Sequence, residues 1–163
     1  VGLDIVQFKQ YVVIPTLTAI GLGGDAAINL IVGTAMAESR LTYLKQLGTG
    51  PAISIMEIEP GTYLDMRDRL TRFHPMLYSR VLATLNMQSL PADCNYLIGN
   101  LTAAVIFARL KYYFSPAPLP PFDDASKLAQ YYKKIYNTSL GAADISVSTN
   151  IFKSVILNFT YHG

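Results

Sequence analysis

The sequence has no tryptophan and a single cysteine, Cys94. A lone cysteine excludes an internal disulfide framework and any metal site built from several thiolates. The only histidines, His74 and His162, lie far apart. No zinc signature, phosphate loop or dinucleotide fingerprint is visible, so neither a metal nor a cofactor is expected. Charge is scarce too. Asp, Glu, Lys and Arg make up 15% of the 163 residues, against about 25% in an average soluble domain. Apolar types reach 51%, which excludes disorder, because disordered chains are apolar-poor and charge-rich. The net charge of +2 is too small to argue for nucleic acid as a partner. What the chain does have is enough apolar length to bury the core of one domain without disulfide or metal staples.

So little charge raises the question of a membrane. Between Lys9 and Glu38 the only charged residue is Asp25. About 20 consecutive apolar residues span a bilayer. This stretch is interrupted by Pro15 and by the turn signal Gly21-Leu22-Gly23-Gly24-Asp25. Each half is roughly 12–15 residues, the length of a buried helix, and no stable membrane span is expected. The half from Lys9 to Gly24 also has the layout of a signal peptide or releasable anchor: a positive residue, an apolar run, then small residues. The favoured alternative is an amphipathic helix folded into the domain. Leu3, Ile5, Val6 and Phe8 make a partial apolar face among Asp4, Gln7, Lys9 and Gln10.

The rest reads as a string of helices. The first runs from about Leu3 to Ile20, kinked or divided at Pro15. Asp25 caps a second, Ala26–Ser39, which is apolar almost all round and belongs in the core. A short helix is expected over Leu41–Leu47, and Gly48-Thr49-Gly50-Pro51 breaks the pattern. Ala52–Ile58 alternates and is the only plausible extended stretch. Pro60 opens a helix to about Phe73, and Pro75 another to about Met87. Asp93 caps a long helix to about Phe114. Ser115–Pro121, with four prolines, must leave helix and form an extended strap. Asp123 or Asp124 opens a helix to about Tyr136, followed by Gly141. The last helix covers about Ser148–Tyr161, with Phe152, Val155, Ile156 and Phe159 on one side. The chain is expected to be mainly α and a single domain over residues 1–163, with little or no β-structure.

Glu38 is the leading functional candidate. It ends the most apolar helix, and no other charge lies in the dozen positions before it. Burial disfavours an ionised carboxylate and raises its pKa, which suits a general acid near neutral pH. The plainer alternative is a helix-end residue paired with Arg40. Other groups read as structural. His74 sits in a loop, His162 lies near the frayed end, and Cys94 is a small core residue. Asp65, Arg67, Asp68, Arg69 and Arg72 form a solvated helix face, with a patch for an anionic polymer or a partner protein as the functional alternative. Asp65 would be a second acid if its helix lay beside Glu38.

The order of short motifs adds a resemblance. Gly33-Thr34-Ala35 precedes Glu38-Ser39. Gly50-Pro51-Ala52 and Glu59-Pro60-Gly61-Thr62 follow. Further on come Ala108-Arg109-Leu110-Lys111-Tyr112-Tyr113, the Leu119-Pro120 strap, and Tyr131-Tyr132-Lys133-Lys134-Ile135-Tyr136-Asn137-Thr138-Ser139-Leu140-Gly141. Over about residues 3–160 this resembles bacteriophage lysozyme-like proteins of the lytic transglycosylase and goose-type lysozyme superfamily.

The resemblance implies a lysozyme-like helical fold. It implies cleavage of the β-1,4 bond between N-acetylmuramic acid and N-acetylglucosamine in peptidoglycan glycan strands, with Glu38 as general acid and base. That scheme needs one carboxylate, unlike the pair most glycosidases use. Ser39, Gly50, Glu57, Tyr136 and Asn137 would surround the sugar. Tyr136 would orient Glu38 or the sugar, and the turn at Gly48–Ala52 would bring backbone close to it. The chain would act in the virion or the infected host, on the cell wall in the periplasm, with other virion proteins as further partners. It would reach the wall by injection with the virion, through a holin, or by way of the N-terminal stretch.

Two positions depart from the pattern. The superfamily's glycine falls at Ser54 and its glutamine at Glu57. A second carboxylate near Glu38 would raise one pKa of the pair, activate a water and turn the reaction to hydrolysis, or mark an inactive site. The family's bulky aromatic is Met56 here. Tyr43, Tyr63, Tyr131 and Tyr132 are the candidates to replace it against sugar. The rival expectation is a structural virion protein that keeps the fold and cleaves nothing. A weaker one, resting on residues 10–37, is a membrane-active lysis factor.

Overall fold

The computed structural model describes residues 2–137 and 144–160. Expectations that rest on residues 138–141, the side chain of Phe159, Tyr161 and His162 lie outside the described residues. The most apolar segment of the chain forms α3, Asp25–Ser39. Its counterpart is α6, Leu101–Tyr113, with Ala103 through Leu110 all buried. A helix apolar on every side has to lie inside, and these two make the middle of the molecule. Packed around them are α1 (Ile5–Phe8), α2 (Ile14–Ile20), α4 (Pro60–Phe73), α5 (Pro75–Leu85), α7 (Ala125–Tyr131) and α8 (Asp144–Thr160). The α2 helix touches α5 and α6, and α8 lies against α3 and α7.

The fold is mainly α. Among the described residues the only β-pairing is two isolated bridges, Lys45 with Ile53 and Ile53 with Ile58. One contiguous core includes Phe8, Leu17, Ile31, Met56, Leu70, Phe107, Tyr132 and Phe152. No helix among the described residues is long and apolar enough to cross a membrane. Within the suspect N-terminal stretch, Val13, Leu17 and Ile20 are fully buried in the core.

The N-terminal helix passes through Pro15 by widening. Between α1 and α2 lies a π-helical turn, Lys9–Val13, and the Ile14 N–H donates to the Lys9 carbonyl five residues back. Proline has no N–H and its ring collides with the carbonyl four residues earlier. An extra residue in the turn just before Pro15 takes up that collision. Asp4 caps α1 by accepting from the Gln7 N–H at 2.9 Å.

Several boundaries differ from the expected ones. Gly24, not Asp25, is the N-cap of α3, and Asp25 sits in the first turn without a capping bond. It still faces the positive end of the helix dipole. No helix forms over residues 41–47. Residues 42–45 are exposed, and a short helix with no apolar face to bury does not survive nucleation. Ala52–Ile58 is a tight, buried reversal rather than an extended strand. Ile53 and Ile58 exchange backbone hydrogen bonds at 2.9 and 2.8 Å. Its apolar residues are buried because the whole loop is, which short apolar runs do not distinguish from a strand.

Asp93 caps only a 3-10 turn, Cys94–Leu97. Asn100 interrupts the expected long helix and caps α6 through the Ala103 N–H at 2.9 Å. The strap at 115–121 is non-helical as predicted, and the Tyr131 hydroxyl ties it down by donating to the Ala117 carbonyl at 2.9 Å. Asp124 caps α7. The last helix begins a turn before Ser148.

Candidate functional site

Glu38 lies in the last turn of α3, where the chain then reverses sharply through Arg40 and Leu41, both in left-handed conformation (φ 55° and 56°). Its Oε1 accepts from the Tyr132 hydroxyl at 2.9 Å and from Asn137 Nδ2 at 3.1 Å. Asn137 Nδ2 also donates to the Tyr132 hydroxyl, at 3.1 Å, so the three groups close a triangle.

The local fold makes this possible. Five residues along an α-helix lie about 140° apart around the axis, so Tyr132 and Asn137 would face different ways. Instead α7 ends in a π-helical turn, Tyr132–Tyr136, and the Asn137 N–H donates to the Tyr132 carbonyl at 3.0 Å. The widened turn brings the two side chains to the same carboxylate.

Glu57, on the buried reversal at 53–58, lines the same cleft as Glu38. Burial, then a hydrogen bond to Glu38 and the Glu38 charge, push the Glu57 carboxyl up to about 8. At neutral pH Glu57 therefore holds its proton.

The reversal is held firmly. Ser54 (φ 73°) and Glu57 (φ 47°) both take left-handed backbone. The Ser54 hydroxyl accepts from the Met56 N–H at 3.1 Å, and the Tyr136 hydroxyl donates to the Met56 carbonyl at 2.6 Å. The conformation at Ser54 is one glycine favours. Its side chain is fully buried and bonds within its own turn instead of meeting the cleft.

A cleft of about 280 Å³ is lined by Glu38, Gln46, Ala52, Glu57, Glu59, Thr62, Lys111, Tyr136 and Asn137. Its walls are polar, and nearly every side chain offers a donor or an acceptor. Lys111 donates to the Tyr136 carbonyl at 2.8 Å and lies 4.3 Å over the Tyr136 ring. Burial lowers the Lys111 pKa, and the charges of Glu38 and Glu59 oppose that shift. The hydroxyls of Tyr132 and Tyr136 are raised, chiefly by burial and then by the Glu38 charge. Both therefore stay protonated as donors.

The sequence-predicted residues divide. Glu38, Glu57, Tyr136 and Asn137 meet at the cleft. Ser39 does not. Its hydroxyl is buried, donates back to the Ala35 carbonyl at 3.2 Å and accepts from the Leu41 N–H, as serine at a helix end commonly does. Gly50 lies behind the Gln46 side chain, which crowds the space a Cβ would fill. Gln46, anchored by accepting from the Ala52 N–H, presents itself to the cleft instead. Tyr136 does not orient Glu38: its hydroxyl secures the reversal, and Tyr132 takes the expected role. Tyr43, Tyr63 and Tyr131 do not line the cleft. Tyr63 donates to the Pro91 carbonyl and Tyr131 to the strap.

Asp65 is likewise elsewhere. It pairs with Arg69 at 3.1 Å, and Asp68 pairs with Arg72 at 2.8 Å, on the exposed face of α4. Asp65, Asp68 and Arg69 border a larger, open cavity beside Phe73, His74 and Tyr113. Among the described residues no group of three or more His, Cys, Asp or Glu could hold a metal ion.

Tyr132, Gln46 and Lys111 were missed as site residues. Tyr132 was considered only for stacking on sugar, and the wide turn that aims it at Glu38 has no clear sequence signature. Comparison with protein-family models, curated proteins and solved structures gives no match to this chain.

Proposed function

We propose that this chain cleaves peptidoglycan glycan strands at the β-1,4 bond between N-acetylmuramic acid and N-acetylglucosamine, as a lytic transglycosylase or muramidase of lysozyme-like fold. The observation that carries this reading is the Glu38 carboxyl at the wall of a polar cleft, fixed by Tyr132 and Asn137. Once it has received a proton, from Glu57 across the pair or from water, a carboxyl positioned in this way can give it to a glycosidic oxygen and then take one back from a hydroxyl or a water. The resemblance in motif order supports the choice of substrate and an origin in a phage virion or infected host, with action on the periplasmic wall. Ser54 and Glu57 weigh less against activity than their departure from the family pattern implies. Ser54 keeps the turn, and Glu57 is uncharged at neutral pH.

A second reading, a structural virion protein that cleaves nothing, is favoured by one observation. Glu57 uses part of the hydrogen-bonding capacity of Glu38.

Purified peptidoglycan decides between them. The wild-type chain is expected to release muropeptides, with anhydro ends if it is a transglycosylase and reducing ends if it hydrolyses. Glu38→Gln is expected to lower release by at least about 100-fold. No release, or equal release by wild type and variant, would remove the enzymatic reading and leave the structural one.

A further inference from the structure

We propose that Glu57 is a positioning residue for Glu38, its carboxyl donating to the Glu38 carboxylate and completing the set of donors that fixes it in the cleft. The proposal rests on the reading that Glu38 performs the chemistry, and it assigns Glu57 neither a water-activating role nor a place among spent residues.

Three observations converge on it. First, Glu38 is approached from two sides. Tyr132 and Asn137 come from the wide turn at the end of α7, and Glu57 comes from the reversal at 53–58. Second, the reversal is built to deliver that one side chain. Glu57 itself is in left-handed backbone, an uncommon state for a residue with a Cβ. Its neighbours are locked by the Ser54 hydroxyl, the Tyr136 hydroxyl and the Ile53–Ile58 bridge. Third, the surroundings keep the carboxyl neutral. The groups that face it are Glu38 on α3, Glu59 on its own segment, Lys111 on α6, and Tyr132 and Tyr136 on the wide turn. Lys111 is the only cation among them, and it is engaged with Tyr136.

A neutral carboxyl is a donor, whereas an ionised one only accepts. Loss of the Glu57 proton therefore replaces a hydrogen bond by repulsion between two adjacent carboxylates, and Glu38 is driven from its place. Glutamine keeps shape, neutrality and a donor, and alanine keeps none of these.

Two experiments test this, one through activity and one without it. In the first, peptidoglycan release is followed from pH 5 to 10. Wild type is expected to lose kcat near the Glu57 value of about 8. Glu57→Gln is expected to retain cleavage within about tenfold at its own optimum and to move the alkaline fall away from about 8. Glu57→Ala is expected to lose about 10–100-fold in kcat at every pH, with KM little changed, one or two hydrogen bonds' worth of positioning. Equal impairment of the Gln and Ala variants, both folded by circular dichroism, would overturn the proposal. So would an alkaline fall that stays near 8 in Glu57→Gln.

In the second, the Glu57 side-chain carboxyl is titrated by carbon-13 NMR in wild type and in Glu38→Gln. A high wild-type value that drops toward the ordinary carboxylate range in the variant supports the pair. A value unchanged by the substitution overturns it. This titration needs no turnover, so an inactive wild type would defeat the reading of function while leaving the Glu38–Glu57 pairing separately decided.

Discussion

Among the described tyrosines Tyr132 is the one whose hydroxyl meets a carboxylate, and its ring is buried against Tyr136 and Phe152. Phenylalanine keeps that packing and deletes only the hydroxyl. Tyr132→Phe is therefore expected to lower kcat/KM for glycan release about tenfold, the equivalent of one hydrogen bond of roughly 1.4 kcal/mol. Its denaturation midpoint should fall by an amount equivalent to about 1 kcal/mol. A variant indistinguishable from wild type in release would show that Asn137 and Glu57 suffice to hold Glu38. At this scale the sequence was informative where chemistry is rare and silent where it is common. An isolated carboxylate after a dozen uncharged positions stands out, so Glu38 was legible. One tyrosine among many does not, and the choice between Tyr132 and Tyr136 depends on a turn widened by one residue. Ser39 misled because adjacency to Glu38 in sequence says nothing of direction. Its hydroxyl had a nearer partner in its own helix.

Helices with punctuation at their ends were read well. Pro60 and Pro75 open α4 and α5 where proline's missing N–H does no harm. Two of the segments misread, 41–47 and 52–58, have no helical period to follow, and tertiary burial decides their backbone. Contact between elements has its own test in Gly33, midway along α3. A Cβ there would collide with the Phe152 ring of α8. Alanine is worth about 1 kcal/mol more than glycine in a helix interior, so propensity alone predicts that Gly33→Ala stabilises. Overpacking a filled core typically costs about 1–3 kcal/mol. Phe152 is fully buried and has little room to yield, so the collision should win. Chemical denaturation is expected to show net destabilisation by Gly33→Ala, largely relieved in the double variant with Phe152→Leu. A stabilised single variant would mean that α3 and α8 can separate without loss.

For the molecule as a whole, the low charge proved to be the signature of two helices buried on all sides, α3 and α6. Glu38 sits where the first of them reaches the surface. The pair it makes with Glu57 ties folding to pH. In the unfolded chain Glu57 has its ordinary value of 4.5, and in the fold about 8. Between these values the native state holds a proton that the unfolded state has released. Stability from this group is therefore fully present below about pH 4.5 and declines as pH rises to about 8. Thermal melts of wild type should show that decline, and Glu57→Gln should flatten it. A wild-type curve with no slope in this window would contradict the raised value.

The bonds that hold Glu38 also span a great length of chain. Tyr132 and Asn137 lie 94 and 99 positions beyond it. During synthesis the carboxylate leaves the ribosome long before either partner exists, and such distant pairings close late because the chain between must be ordered first. The site comes into being only once residues 132–137 have been made. A copy that stopped before residue 132 would carry its acid but not the means to aim it.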